Sequence, residues 1–172
     1  MAKPSVLKAN TRVGSYTIIE AVDINSHSVV YRARVGDTDE HVWLQEYMPH
    51  DLAGRLRDDN SVRPRRGKSA AFEEGLTLFL QEARVLSQIY DPYVARVREY
   101  TESGGTAYIA MDEELGITLK EYLRQNGKLV QDELRSLCIP LLKGLRIIHS
   151  HGLIHRDINP GNIFYATAAR PF

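Results

Sequence analysis

Ten residues close to the C-terminal end, Ile154-His155-Arg156-Asp157-Ile158-Asn159-Pro160-Gly161-Asn162-Ile163, concentrate side chains able to do chemistry. The Asp157 carboxylate can accept the proton of an attacking hydroxyl. Asn162, five residues on, can turn its amide oxygen towards a magnesium ion held by phosphates. His155 and Arg156 then act as scaffold that braces the loop. A plainer reading also fits: a polar loop after an apolar helix, with Pro160 and Gly161 as punctuation. The remaining chain must decide between them, by supplying or lacking the elements that would position such a loop.

Composition narrows the possibilities. A chain of 172 residues is one domain, or a two-lobed unit with one lobe incomplete. At this size it buries about 70% of its unfolded surface and needs no disulfide. The single cysteine, Cys138, sits among apolar residues and reads as a buried thiol in a reducing compartment. Twenty-two basic and twenty-two acidic residues cancel, which argues against a nucleic-acid binder relying on a strong overall field. The first dozen residues lack the apolar core of a signal peptide. No run of eighteen apolar residues exists to span a membrane, so a cytoplasmic protein is expected.

Residues 1–13 read as a flexible polar arm. Runs rich in β-branched and aromatic residues predict strands over 15–20, 29–34 and 41–47, joined by the turn Asp23–Ser28 and by Gly36-Asp37 into an antiparallel meander. From Pro49 to Lys68 the chain is polar, with Arg63, Arg65, Arg66 and Lys68 clustered. That cluster is either a solvated loop or a site for phosphate or an acidic partner. Phe72, Leu76, Phe79, Ala83 and Leu86 fall on one face of a helix capped by Ser69 and running to about Ile89, with Gly75 weakening it slightly. After Asp91-Pro92, strands are predicted over 94–101 and 106–111, then a short helix over 118–125. A longer helix, Gln131–Ser150, carries Leu134, Leu137, Cys138, Leu141, Leu142, Leu145 and Ile148 as a broad apolar stripe, and Pro140 should kink it or loosen its previous turn. His149 and His151 have no acidic or cysteine partner at ligand spacing, so no metal site is expected.

With this order of elements on the page, the loop His155-Arg156-Asp157 followed by Asn162 resembles the catalytic loop of protein kinases. The third strand, ending Gln45-Glu46-Tyr47-Met48-Pro49, is similar to that of bacterial serine/threonine kinases. The resemblance implies an α+β, protein-kinase-like fold: a five-stranded antiparallel sheet with one long helix over 14–113, the small lobe. Residues 114–172 would then be an incomplete helical large lobe, ending just after the catalytic loop. It also implies catalytic roles for Asp157 and Asn162, supported by His155 and Arg156, and a nucleotide pocket including Val30, Trp43, Gln45, Glu82 and Met111.

The same resemblance exposes departures. Asp23, Asn25 and Ser28 stand at the three positions of the glycine-rich loop, whose glycines let backbone amides approach phosphates. Gln45 replaces the lysine that pairs with phosphates and with the helix glutamate, and Trp43 fills space next to the base. Glu82, left without that lysine, should turn to solvent, because a buried carboxylate that has lost its cation costs roughly 3–5 kcal/mol. Asn159 stands where a lysine often lies, and no Asp-Phe-Gly precedes Phe172. Either a boundary cuts a longer protein or the domain is naturally truncated. These features lead to the expectation of a catalytically inactive kinase-like domain, a pseudokinase, that binds a protein partner or regulates, with neither nucleotide nor metal as cofactor. The alternative is an atypical serine/threonine kinase using ATP and magnesium on a protein substrate, its missing cation supplied by Arg32 or Arg34. A third reading is structural, a dimerisation surface. Self-association through the Gln131–Ser150 helix is expected, and neither nucleic acid nor membrane as partner.

Overall fold

The computed structural model describes residues 6–113 and 116–165; the first five residues of the arm and the expected large-lobe segment beyond 165 lie outside the described residues. The chain divides into two compact units, Met1–Ile89 with Arg96–Glu113, and Tyr90–Ala95 with Glu114–Phe172. This division departs from a single cut after residue 113, because 90–95 goes with the second unit.

The first unit contains β1 (Arg12–Val13), β2 (Tyr16–Ile24), β3 (Ser28–Val35), β4 (His41–Tyr47), β5 (Ala53–Arg55), β6 (Val62–Pro64), α1 (Ser69–Leu86), β7 (Val97–Ser103) and β8 (Thr106–Asp112). Six strands form one antiparallel sheet in the order β1-β2-β3-β4-β8-β7. The sequence predicted five. The sixth, β1, comes from the supposedly loose arm, whose Leu7 and Val13 are only 4% and 5% exposed. Two apolar side chains and a hydrogen bond from the Leu7 N–H to the Tyr31 hydroxyl (3.1 Å) fix residues 6–13 to the sheet.

Alternation along β4 sends Val42, Leu44 and Glu46 to one face, with Tyr31, Ala33, Tyr108 and Ala110 beside them, and leaves Trp43 and Gln45 half-buried on the other. Each fully covered aliphatic side chain on the closed face contributes about 1.5–3 kcal/mol. Glu46 is the exception there, an acid with no exposure at all. It accepts hydrogen bonds from Tyr31 (2.8 Å), Tyr108 (2.6 Å) and Arg55 (2.5 Å), so the buried charge is fully partnered. Burial and the neighbouring Glu46 charge push both tyrosine hydroxyls far above their ordinary range.

Arg55 belongs to a hairpin that the sequence did not predict. The stretch read as loop pairs β5 with β6, and seats Ala53 and Val62 in the core. Strands of three residues are too short to show a period of two. The following helix, α1, buries Phe72 and Ala83 as its spacing demands. Ser69 is its first residue rather than its cap; Lys68 holds the cap position and makes no side-chain capping bond, and the helix stops at Leu86, short of Ile89. Gly75 has a packing reason: a Cβ there would lie 2.1 Å from the Tyr47 hydroxyl, which donates to the Phe72 carbonyl (3.3 Å).

The second unit contains β9 (Ile117–Thr118), α2 (Leu119–Asn126), α3 (Gln131–Ser150) and β10 (Phe164–Tyr165), with β9 and β10 paired. Thr118 caps α2, its hydroxyl accepting the Glu121 N–H (3.2 Å). α3 has the predicted bounds and continues as one helix through Pro140. Its Gly144 faces Tyr93, where a Cβ would sit 2.6 Å from the carbonyl oxygen, and this close fit ties 90–95 to the helix. Among the described residues, no helix is long and apolar enough to cross a membrane.

Candidate functional site

Two separate constellations carry the residues singled out by sequence, one in each unit. In the first unit the turn between β2 and β3 is an Asx turn. Asn25 Oδ1 accepts the backbone N–H of Ser28 (2.8 Å) and of His27 (2.9 Å), and Asn25 Nδ2 donates to Ser28 Oγ (3.0 Å). Gln45 Nε2 reaches the same Ser28 oxygen at 3.2 Å. A single asparagine side chain thus takes two amides that a phosphate-binding turn would present to its ligand, and the strand glutamine is tied to the turn. Asp23 is exposed at the end of β2. Asn25 was recognised in sequence as a replaced glycine but not as an acceptor; Asn followed three residues later by Ser is the signal that could have revealed it.

Val30 lies opposite Gln45 and Trp43 opposite Met111, so these four share one sheet face, all half-buried. Met111 packs against the cluster of Ala83, Val97 and Ile109. Glu82 does not join them. It is exposed on α1 and, among the described residues, forms no ion pair or hydrogen bond, so the sheet glutamine and the helix glutamate are unconnected. Arg32, one of two candidate substitute cations, is already engaged: Nε donates to Glu113 Oε1 (2.7 Å) and Nη2 to Oε2 (3.3 Å). Arg34, the other, is exposed.

The second constellation is built by the ends of helices. α3 closes with Gly152 at φ 78°, where the chain leaves the helix, and Arg156 takes the left-handed region at φ 63°. The start of α2 then holds the loop, since Leu119 N–H donates to the Ile163 carbonyl (2.7 Å) and Lys120 N–H to that of Pro160 (2.8 Å). Within the loop, the Asp157 carboxylate accepts Asn162 Nδ2 at 2.7 Å and Asn159 Nδ2 at 2.9 Å, and Asn162 Nδ2 also reaches the Asp157 carbonyl (3.0 Å). Asn159 Oδ1 takes the Gly161 N–H (2.8 Å), and His155 Nδ1 accepts the Asp157 N–H (3.4 Å). Asp157, Asn162, His155 and Arg156 are all exposed. Asp157 and Asn162 therefore meet as the sequence implied. Asn159 adds a second amide on the carboxylate, a role that its description as a lost lysine did not suggest.

Known proteins resemble this arrangement. The family described as Protein kinase domain matches residues 61–170, a stretch that starts after Asn25, Ser28, Trp43 and Gln45. A protein of Lactococcus lactis subsp. lactis (strain IL1403) named probable serine/threonine-protein kinase PknB is 32% identical over 90 residues, covering 52% of this chain and 14% of that protein. Serine/threonine-protein kinase PknA of Mycobacterium tuberculosis (strain ATCC 25618 / H37Rv) is 32% identical over 114 residues, covering 63% of this chain and 26% of that one. A solved structure described as PpkA-294 apo form is 34% identical with a TM-score of 0.82, over 94% of this chain and 58% of that chain. The chain thus spans only a minor part of the curated relatives it matches, 14% and 26% of these two. The structural likeness extends across the sheet, and the kinase-like α+β fold holds, with six strands in place of five.

Proposed function

This chain belongs to the protein kinase domain family, and from that premise we propose that it is a catalytically inactive member, a pseudokinase domain working as a protein-binding or regulatory module. One observation carries the reading. In a nucleotide-binding kinase the glycine-rich turn equivalent to the one between β2 and β3 here offers its amides to phosphates. Here Asn25 Oδ1 already takes the N–H groups of His27 and Ser28. The other residues of that sheet face fit Mg-ATP no better. Gln45 brings a hydrogen bond to Ser28 but no positive charge, Trp43 puts an indole on the face where the resemblance expects the base, and Asp23 adds a negative charge near the turn. Calorimetry with Mg-ATP tests the reading directly: no saturable heat is expected at micromolar to tens of micromolar concentrations. Saturable micromolar binding would overturn it. Replacing Asn25 by Gly together with Gln45→Lys should restore measurable affinity, and Trp43→Ala should raise it further.

The loop in the second unit favours a second reading. Asp157 and Asn162 keep their mutual hydrogen bonds, which suits a general base beside a metal ligand in a serine/threonine kinase using ATP and magnesium on a protein hydroxyl. Since Arg32 is committed to Glu113, the missing cation would have to come from Arg34. Transfer of labelled phosphate to a protein substrate, abolished by Asp157→Ala, would establish this reading over the first.

As a regulatory module in the cytoplasm, the domain takes a second copy of itself as partner through α3. Leu134 and Leu142, about two turns apart on that helix, are 49% and 64% exposed, and Ile139 beside them is 57% exposed, apolar surface that a partner would cover. Two-fold pairing is the simplest closed arrangement that covers it.

A further inference from the structure

We propose that the end of the β5–β6 hairpin next to α1 is a docking surface for a short, carboxylate-rich segment of a partner protein. Arg63, Arg65, Arg66 and Lys68 are all exposed, four cations within six residues. The backbone gathers them at one end of the hairpin. Arg63 sits opposite Gly54, which has no side chain to screen it. Arg65 follows two residues later on the same side of the extended chain, its N–H still bonded to the Leu52 carbonyl (2.7 Å). A turn with Gly67 at φ 76° then brings Lys68 back, its N–H donating to the Arg65 carbonyl (2.9 Å). Among the described residues none of the four forms an ion pair, and the first turn of α1 contains no acidic side chain.

What distinguishes this patch from a solvated charge run is the stiffness of its support. Arg55 fastens the hairpin to the buried Glu46. Val62 N–H bonds the Gly104 carbonyl at 2.7 Å, and Gly105 comes so near Val62 that a Cβ would lie 2.5 Å from its carbonyl oxygen. Arg65 Nε holds the His50 carbonyl (3.2 Å). A buried ion pair gains little stability over an apolar pair, and its best-supported use is to fix a geometry. A stiff backbone under the four cations, with Arg65 itself tethered, leaves less conformational freedom to lose when an anion arrives.

The surroundings select the partner. Asp58 and Asp59 border the patch at the hairpin tip, and Asp59 accepts the Ser61 N–H (2.9 Å). They repel a long polyanion lying across the hairpin, and a chain with zero net charge has no wider field to attract nucleic acid. A short peptide presenting a few carboxylates matches four exposed cations within six residues. This inference is independent of the nucleotide question, because none of these residues takes part in the turn around Asn25.

Fluorescence anisotropy of the full chain with a labelled hexaglutamate peptide tests it, with hexaglutamine and a hexathymidylate of similar charge as comparators. Saturable binding of hexaglutamate alone is expected, weakened at least about tenfold by Arg63→Glu with Arg66→Glu. Both side chains are exposed, so thermal unfolding should be unchanged. The control pair Arg84→Glu with Lys128→Glu makes the same charge change elsewhere on exposed surface and should leave binding intact. Absence of hexaglutamate binding, equal loss in the control pair, or tighter binding of hexathymidylate would each overturn the proposal.

Discussion

Gly75 and Tyr47 meet where one more carbon atom has no room. Alanine at position 75 would gain up to about 1 kcal/mol of helix propensity. It would also drive a Cβ to 2.1 Å from the Tyr47 hydroxyl, whose ring is wedged against Phe72 and Phe79 at 5.2 and 5.6 Å. Overpacking of that kind costs about 1–3 kcal/mol, so Gly75→Ala should destabilise in urea. With Tyr47→Phe the nearest atom would be the ring carbon at 3.0 Å, and most of the penalty should vanish. A penalty unchanged by Tyr47→Phe would place the clash elsewhere. A second residue-scale expectation concerns Tyr122, whose hydroxyl donates to Glu133 at 2.6 Å while Val130 N–H donates to the other oxygen at 2.9 Å. The bond to Glu133 pushes Tyr122 up to about 12, and the same bond holds the Glu133 carboxyl below its ordinary value. Tyr122, being raised, contributes stability below its unfolded value near pH 10, lost as pH climbs towards 12. Glu133, being lowered, contributes above its unfolded value near pH 4.3, lost as pH falls through the folded value. The melting-temperature gap between the wild type and Tyr122→Phe should therefore be widest between about pH 5 and pH 9 and close on either side. A gap independent of pH would exclude the link. At this scale the sequence was informative wherever chemistry depends on a residue's identity, as for Gln45 or Asn162. It was silent about Glu46, because a glutamate in a strand points inwards or outwards according to register alone.

Helices and long strands were legible in the chain because their periods repeat several times. α3 has the predicted ends and β4 the predicted span, whereas the β5–β6 hairpin, with three residues per strand, offered no period to read. What fixes that hairpin is the pairing of Arg55 with the buried Glu46 nine residues earlier, together with the bond from Val62 N–H to the Gly104 carbonyl, neither of which a periodic pattern encodes. Arg55→Ala should accordingly cost about 3–5 kcal/mol, the penalty for leaving a buried charge alone. The paired change Glu46→Gln with Arg55→Met should recover much of it. Denaturant titration of the three variants gives the comparison, and a loss below about 1 kcal/mol for Arg55→Ala would mean that water reaches the pair. The same contacts should slow amide exchange at Val62, Arg63 and Arg65 towards the rate in α1, contrary to the mobility a polar loop would have shown.

For the molecule as a whole, the exposed apolar positions of α3 give the most direct test of partnership. Sedimentation at micromolar concentration should show a dimer of the 172-residue chain, dissociated by Leu142→Asp. A monomer indifferent to that change would remove α3 as the interface. The kinase-like plan was legible in the chain because its identifying loop and its strand order are both local in sequence. The assignment of 90–95 to the second unit was not, since it depends on Gly144 leaving space for the Tyr93 carbonyl far along the chain. That assignment bears on how the protein is made. A ribosome adds Tyr90–Ala95 well before the helix they pack on. At ~5–20 residues per second the segment waits about 3–10 s for Gly144 to be added, and longer for it to leave the exit tunnel. Its neighbours in sequence, Ile89 and Arg96, belong to the other unit and offer it no such partner. The nascent chain therefore carries an unmatched Tyr-Asp-Pro-Tyr bow until α3 has been made and released.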